Sequence, residues 1–315
     1  MHSKAFWIIG IVVLILALTF IFLGSGLDFD YVIPKRILRL AAILLGGVCV
    51  AVSSIIFQTL VSNRILTPAI MGYEAVYLLW QVLLLFFAGA EGLVMFGMNG
   101  NFIISLVLML LYSWMMQRWL LPKVSRDMYM LLLFGLVFTI VIGTVTQFIQ
   151  LRMSPGEFSV FQGLSYASFN RTSPETLCYA AVAVLFVCIV GYKKIAILDV
   201  IALGREQSIS LGLDHTYYLK FFLALIAILV AVSTSLVGPT AFMGVFIANI
   251  TYALARSFKH QITLPMACGI AIAIFLVAQI SVEHFFNYKT TVSILINLVC
   301  GCYFLVLMVR MRGTT

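Results

Sequence analysis

The chain has 315 residues, 63% of them hydrophobic and 10% charged, with 19 Lys and Arg against 11 Asp and Glu for a net charge of +8. A soluble domain is nearer half apolar and a quarter charged, so this composition excludes a water-soluble enzyme and indicates an integral membrane protein. The positive balance does not indicate a nucleic-acid partner, because the basic residues cluster at the ends of apolar runs, where such residues set topology and face anionic lipid.

Ten membrane spans are predicted, at about 5–24, 37–61, 68–88, 100–120, 128–150, 175–192, 219–237, 241–255, 264–285 and 291–309. The first follows Lys4 and has the look of a secretory leader. More spans follow it, so an uncleaved signal-anchor is the expectation. With the amino terminus inside the cell, Lys4, Lys123, Arg126, Arg310 and Arg312 fall with the cytoplasmic majority of Lys and Arg. Lys35, Arg36, Arg39, Arg152, Arg171 and Lys289 fall outside. The positive-inside rule favours that orientation, with both termini cytoplasmic.

Between the first two spans, Lys35, Arg36 and Arg39 form a tight basic group at the outer mouth of the second. Within that second span lies Gln58, and Asn63 with Pro68 marks the turn after it. Glu74, a turn into the third span, admits two readings. A carboxylate in hydrocarbon is functional by default, whereas one nearer the surface suits a helix amino terminus. Gln147 in the fifth span, like Gln58 and Gln279, is a hydrogen-bonder that either holds helices together or lines a polar path. The outer stretch from Arg152 to Pro174 carries Phe158, Phe161, Tyr166 and Phe169, as an interfacial aromatic belt or as a flap packed on the outer vestibule.

The stretch from Tyr192 to Lys220 is the longest polar-enriched interval. Lys193, Lys194, Arg205 and Lys220 place it in the cytoplasm. Between Ala202 and Gly212 it has room for about two helical turns, with Gly212 as the stop. Further on, Gly238, Pro239 and Gly244 break the eighth span, which inclines Asn249 toward a cavity. Glu283 closes the ninth span at its outer end, as an interfacial group or as a partner for a basic residue on a docking protein.

A faint repeat joins Val50–Ser53, followed by Pro68 and Gly72, to Val230–Ser233, followed by Pro239 and Gly244. With five spans on each side of about residue 190, it suggests two related halves. Small-residue pairs four apart (Gly47/Ala51, Gly244/Ala248, Ala267/Ala271) allow close helix approach. The sequence has no Walker A motif, no HExxH and no nucleophile elbow. Its four histidines are scattered and its six cysteines sit in apolar runs without a CxxC, so no metal site or cofactor is expected.

Arg36 to Gly72, with its Gly/Ala-rich helix, Gln58-Thr59-Leu60 and a turn ending in Gly, resembles the second-span region of the iron-chelate/cobalamin (FecCD-type) ABC importer permeases. Leu203–Gly212 is similar to that family's LG-x-x-x-A-x-x-LG coupling region, Gly238–Gly244 to its Gly-Pro-[IT]-x-Phe-[VM]-Gly, and Phe161–Phe169 to its outer W-x-x-Gly-Ser loop. Arg64 replaces the first turn proline, Ser208 the usual alanine and Glu74 a more frequent serine, and Ala248–Tyr252 departs from Pro-His-x-x-Arg. These departures resemble the ferric-siderophore branch, which uses two different permease chains.

The resemblance implies an all-α fold of the type II ABC importer permease class, one permease domain over residues 1–315 with a cytoplasmic coupling segment at about 193–219, in a bacterial cytoplasmic (inner) membrane. The partners implied are two ABC ATPases, a second, non-identical permease and a periplasmic or lipid-anchored siderophore-binding protein. Leu203, Gly204, Arg205, Glu206, Ser208, Leu211 and Gly212 would meet the ATPase. Lys35, Arg36, Arg39 and Glu283 would meet the binding protein, and Gln58, Glu74, Gln147 and Asn249 would line the path. Two alternatives have other requirements. An ion- or proton-coupled secondary transporter would use Glu74 as its proton carrier, and a membrane-embedded enzyme would need clustered catalytic side chains.

Overall fold

The computed structural model describes residues 2–24, 26, 28–119, 128–240 and 242–312. Lys123 and Arg126 lie outside the described residues, as do the side chains of Lys4, Arg310 and Arg312. The regular elements are α1 (His2–Phe22), α2 (Val32–Val61), a 3-10 turn (Pro68–Met71), α3 (Tyr73–Gly89), α4 (Glu91–Trp119), α5 (Met128–Gln150), α6 (Pro155–Leu164), α7 (Pro174–Tyr192), α8 (Ile195–Ile201), α9 (Arg205–Ser210), α10 (His215–Val237), α11 (Met243–Ala255), α12 (His260–His284) and α13 (Val292–Arg312). Among the described residues, seven helices are long and apolar enough to cross a membrane, and α3, α11 and the apolar part of α13 are shorter. Each of the ten predicted spans overlaps one of these helices.

Boundaries moved where backbone geometry overrode hydropathy. The third span does not begin at Pro68, because Gly72 adopts φ 88° and separates the 3-10 turn from α3. A Cβ on Gly72 would sit 2.7 Å from the Tyr112 hydroxyl, so the turn needs glycine for space as well as for conformation. The fourth helix starts at Glu91 rather than near residue 100, with left-handed breaks at Gly89 (φ 60°) and Gly97 (φ 63°). Helix α6 was not foreseen. Ser154 and Glu157 cap it reciprocally, as Ser173 and Thr176 cap α7.

Helices α2, α10 and α12 form the centre. Over the most apolar 18-residue stretch of each helix, 67% of α2, 72% of α10 and 56% of α12 is buried, against 6% of α1 and 17% of α4 and α5, whose outward faces are left for lipid or partner chains. Small residues set the spacing at this centre. A Cβ on Gly47 would lie 3.3 Å from the Ile272 backbone nitrogen of α12, and one on Gly244 would lie 2.0 Å from Ser54 Oγ of α2. Ala51, Ala248, Ala267 and Ala271 are all fully buried. Of the aromatics between Arg152 and Pro174, two pack inward: Phe161 is buried against Val82 and Leu85, and the Phe169 ring lies 5.4 Å from that of Phe275, whereas Phe158 stays exposed.

The basic group before α2 requires a correction. Arg36 is only 8% exposed and donates through Nη1 to the carbonyls of Phe20 (2.8 Å), Ile21 (3.2 Å) and Leu23 (2.6 Å), the free C-terminal acceptors of α1. Glu283, also 8% exposed, pairs with Arg39 at 3.0 Å and Arg36 at 3.7 Å and accepts from Gln279 Nε2 at 2.8 Å. Burial pushes the nearby Tyr288 phenol pKa up, and Glu283 adds to that. Arg36 and Glu283 therefore tie α1, α2 and α12 together instead of facing a docking protein. Lys35 and part of Arg39 remain on the surface.

Two stability outcomes follow. Gly244→Val is expected to lower the thermal midpoint in detergent, by roughly 1–3 kcal/mol of overpacking. Gly143→Ala, on α5 with nothing within 4 Å of its Cβ position, is expected to hold or raise it, by about 0.5–1 kcal/mol. Glu283→Ala leaves Arg36 buried beside a lost counter-charge and is expected to cost about 3–5 kcal/mol, read as loss of monodisperse protein or a lowered midpoint, whereas Glu206→Ala on the surface is expected to be neutral.

Candidate functional site

Two helices make up the segment between α7 and α10. Leu198 and Ile201 of α8 are buried against the bundle. Gly204, with φ 103°, opens α9, and Gly212, with φ 84°, follows it. Ser208 is fully buried, its hydroxyl donating to Arg205 O at 2.8 Å and lying 3.0 Å from His215 Nδ1 at the start of α10. Ser208 is therefore the pin that holds α9 against α10, not part of an outer contact face. That face consists of Leu203, Ile209 and Leu211, exposed by 54%, 50% and 63%, with Arg205 and Glu206 beside them. Together these three large apolar side chains form an exposed apolar patch on an otherwise polar segment.

A connection that sequence reasoning missed anchors this segment. The Asp199 carboxylate on α8 accepts the backbone N–H of His260 at 2.9 Å, and His260 Nδ1 lies 2.5 Å from the same oxygen. On its other side, His260 Nε2 lies 2.8 Å from Thr59 Oγ1 on α2. The surface helices are thus hydrogen-bonded to the first turn of α12 and the last turn of α2. A signal was present, since Asp199 is the acidic residue just ahead of the matched coupling run, but nothing local ties it to a histidine 61 residues away.

The pathway candidates do not share one lining. Glu74 lies in the first turn of α3 and accepts from the Thr240 backbone N–H at 2.8 Å and the Thr240 hydroxyl at 3.3 Å. Its carboxylate thus serves the chain break before α11, an anion placed at the start of another helix. Beside it is a small cavity of about 20 Å³ lined by Val50 and Ser53, by Val230 and Ser233, and by Pro68 and Gly244. The two arms of the faint repeat meet here.

Gln58 is 2% exposed, and its amide has no hydrogen-bond partner among the described residues. Asn249 is occupied locally, donating to Val245 O at 2.9 Å and Arg64 O at 3.4 Å, which clips α11 to the turn after α2. Gln147 is exposed on the outer surface of α5 and does not join the others. A polar cluster not anticipated from the sequence lies nearer the α6 end. There Gln81, fully buried, pairs its amide with Asn101 in both directions at 3.2 Å, and Trp80 Nε1 donates to Asn101 Oδ1 at 2.8 Å.

Among the described residues, no set of three His, Cys, Asp or Glu could hold a metal ion. Comparison with known proteins agrees with the geometry. The chain is 36% identical over 309 residues to the petrobactin import system permease protein YclO of Bacillus subtilis, covering 98% of both chains. It is 29% identical over 286 residues to the petrobactin import system permease protein FatC of Bacillus anthracis, covering 91% of this chain and 81% of that one. Its fold matches a structure described as an inward-facing conformation of a metal-chelate type ABC transporter, with a TM-score of 0.86 and 18% identity over 98% of this chain and 99% of that one. With the profile of the FecCD transport family matching residues 6–310, the chain belongs to that family.

Proposed function

We propose that this chain is a permease subunit of an ATP-driven importer that carries a ferric siderophore into the cell. It would work with two ATPase subunits, a second, non-identical permease and a siderophore-binding protein. The observation that carries this reading is the pinned surface helix α9, which presents Leu203, Ile209 and Leu211 to solvent while α8 ties it through Asp199 and His260 to α2 and α12. An ATPase that binds this face and moves on closing its nucleotide sites displaces two central helices of the bundle. The chain itself does no covalent chemistry in this scheme, and the free energy comes from differential binding by the nucleotide-loaded partner.

In the same reading both termini and α8–α9 face the cytoplasm. Lys35 and Arg39 lie on the outer side, where they steer an acidic binding protein more than they add affinity. The proton-carrier alternative has less support, because Glu74 is engaged by the Thr240 peptide and hydroxyl. The relatives are petrobactin permeases by name, which makes ferric petrobactin the first substrate to test.

The decisive measurement is uptake of radio-iron petrobactin into vesicles holding the assembled transporter. Uptake is expected only with ATP and is expected to vanish when the ATPase nucleotide site is disabled. Uptake that survives in that variant overturns the reading. A cysteine at Leu211 is expected to crosslink to the ATPase, and one at Ser208, being buried, is not.

Coupling residues give a second test. Gly212→Val forces a β-branched residue into φ 84°, at a cost of about 1–2 kcal/mol. With Glu206→Lys and His260→Ala, it is expected to leave the protein folded in the membrane while lowering the substrate carried per ATP hydrolysed. An unchanged ratio in all three would count against α8–α9 as the coupling element.

A further inference from the structure

A cavity of about 250 Å³ lies between the start of α4, the end of α10 and the segment between α6 and α7. Two helix breaks line it, Gly97 with φ 63° and Gly238 with φ 106°. Irregular backbone inside a membrane protein persists where it faces a cavity rather than lipid, and broken helices often mark a binding site.

The polar groups on the wall are mostly donors. The Arg171 guanidinium donates to the Tyr166 carbonyl, and no carboxylate among the described residues lies within ion-pair distance of it. Glu175, four residues on, is hydrogen-bonded to Asn99 instead. Arg171 is half-buried, and that burial lowers its pKa. Ser235 Oγ is sealed from solvent and has no hydrogen-bond partner among the described residues. Tyr77, only 4% exposed, lines the same space. Asn101 is oriented by Trp80 and Gln81, which both donate to its carbonyl oxygen. A partly desolvated cation with no carboxylate beside it favours an anionic ligand, and hydroxyl and amide donors nearby suit an anionic oxygen.

We propose that this cavity is an anion-binding site. It takes a carboxylate or phenolate group of the transported chelate, with Arg171 supplying the charge and Tyr77, Asn101 and Ser235 the surrounding hydrogen bonds. The chelate part of this assignment rests on the importer reading above. A lipid headgroup phosphate shares the same chemistry, and the experiment separates the two.

The full chain is placed in phosphatidylcholine nanodiscs and titrated with citrate as the carboxylate probe. Binding is followed by calorimetry and by tryptophan fluorescence, since Trp80 is hydrogen-bonded to Asn101. Saturable binding is expected, weakened by at least about tenfold in Arg171→Ala and less in Arg171→Lys and Ser235→Ala. If Arg171→Ala does not yield monodisperse protein, Arg171→Gln and Tyr77→Phe carry the comparison. Absence of saturable binding by the wild type, or equal binding by the Arg171 variants, overturns the site. In phosphatidylglycerol nanodiscs, loss of citrate binding together with Arg171-dependent retention of that lipid in native mass spectrometry makes a headgroup the occupant and overturns the chelate assignment. ATP-driven uptake by the wild type is measured alongside. Uptake without Arg171-dependent binding sinks the cavity alone, and binding without any uptake sinks the importer reading and the chelate assignment with it.

Discussion

The Glu74 carboxylate accepts the peptide N–H of Thr240 across 166 residues of sequence, an interaction imposed by the lack of water inside a bilayer. Each place where a helix stops within the bundle frees peptide groups that only the protein can satisfy. At the 3-10 turn, Tyr112 and Thr139 donate their hydroxyls to the carbonyls of Met71 and Ile70. At the end of α10, Val237 O accepts from the Ser168 backbone N–H at 2.8 Å, which closes the α6–α7 segment over the break. Discontinuous helices are stable here because side chains and loops from distant parts of the sequence supply these partners.

The same requirement shapes the centre of the molecule. Helices that break must be held by neighbours; α2, α10 and α12 come close enough to do so through Gly46 and Gly47, and α11 closes on α2 at Gly244. Their approach places Ser53 and Ser233, equivalent positions in the repeat, on one small cavity beside Glu74. Helices α1, α4 and α5 stay largely exposed, and their apolar faces suit lipid or another permease chain. The α8–α9 segment is joined to this centre by hydrogen bonds as well as by apolar packing, since Asp199, His260 and Thr59 link α8 to the ends of α12 and α2.

Much of this was legible in order along the chain. Hydropathy alone located all ten apolar helices, because burying twenty apolar residues in hydrocarbon is a local property of the segment. Glycine and proline punctuation located the surface helix, and Gly212 does take the left-handed conformation that ends it. The coupling segment was recognised from its glycines, yet Ser208, read as part of its contact face, is buried under it. The basic group Lys35, Arg36 and Arg39 looked like an outer docking patch, and two of its members are instead occupied by Glu283.

The amino-acid sequence by itself therefore determined the class of protein, the order of its ten apolar spans, the break around Gly238 and Gly244, and the family to which it belongs. These depend on composition, periodicity and backbone preferences that act over a few residues. Only the tertiary structure decided which polar group meets which: Arg36 with the end of α1, Glu74 with Thr240, Asp199 with His260, and Arg171 with no carboxylate among the described residues. A charged side chain in a membrane protein must find its partner inside the fold. That partner is chosen by how helices pack, which the residues beside it in sequence do not reveal.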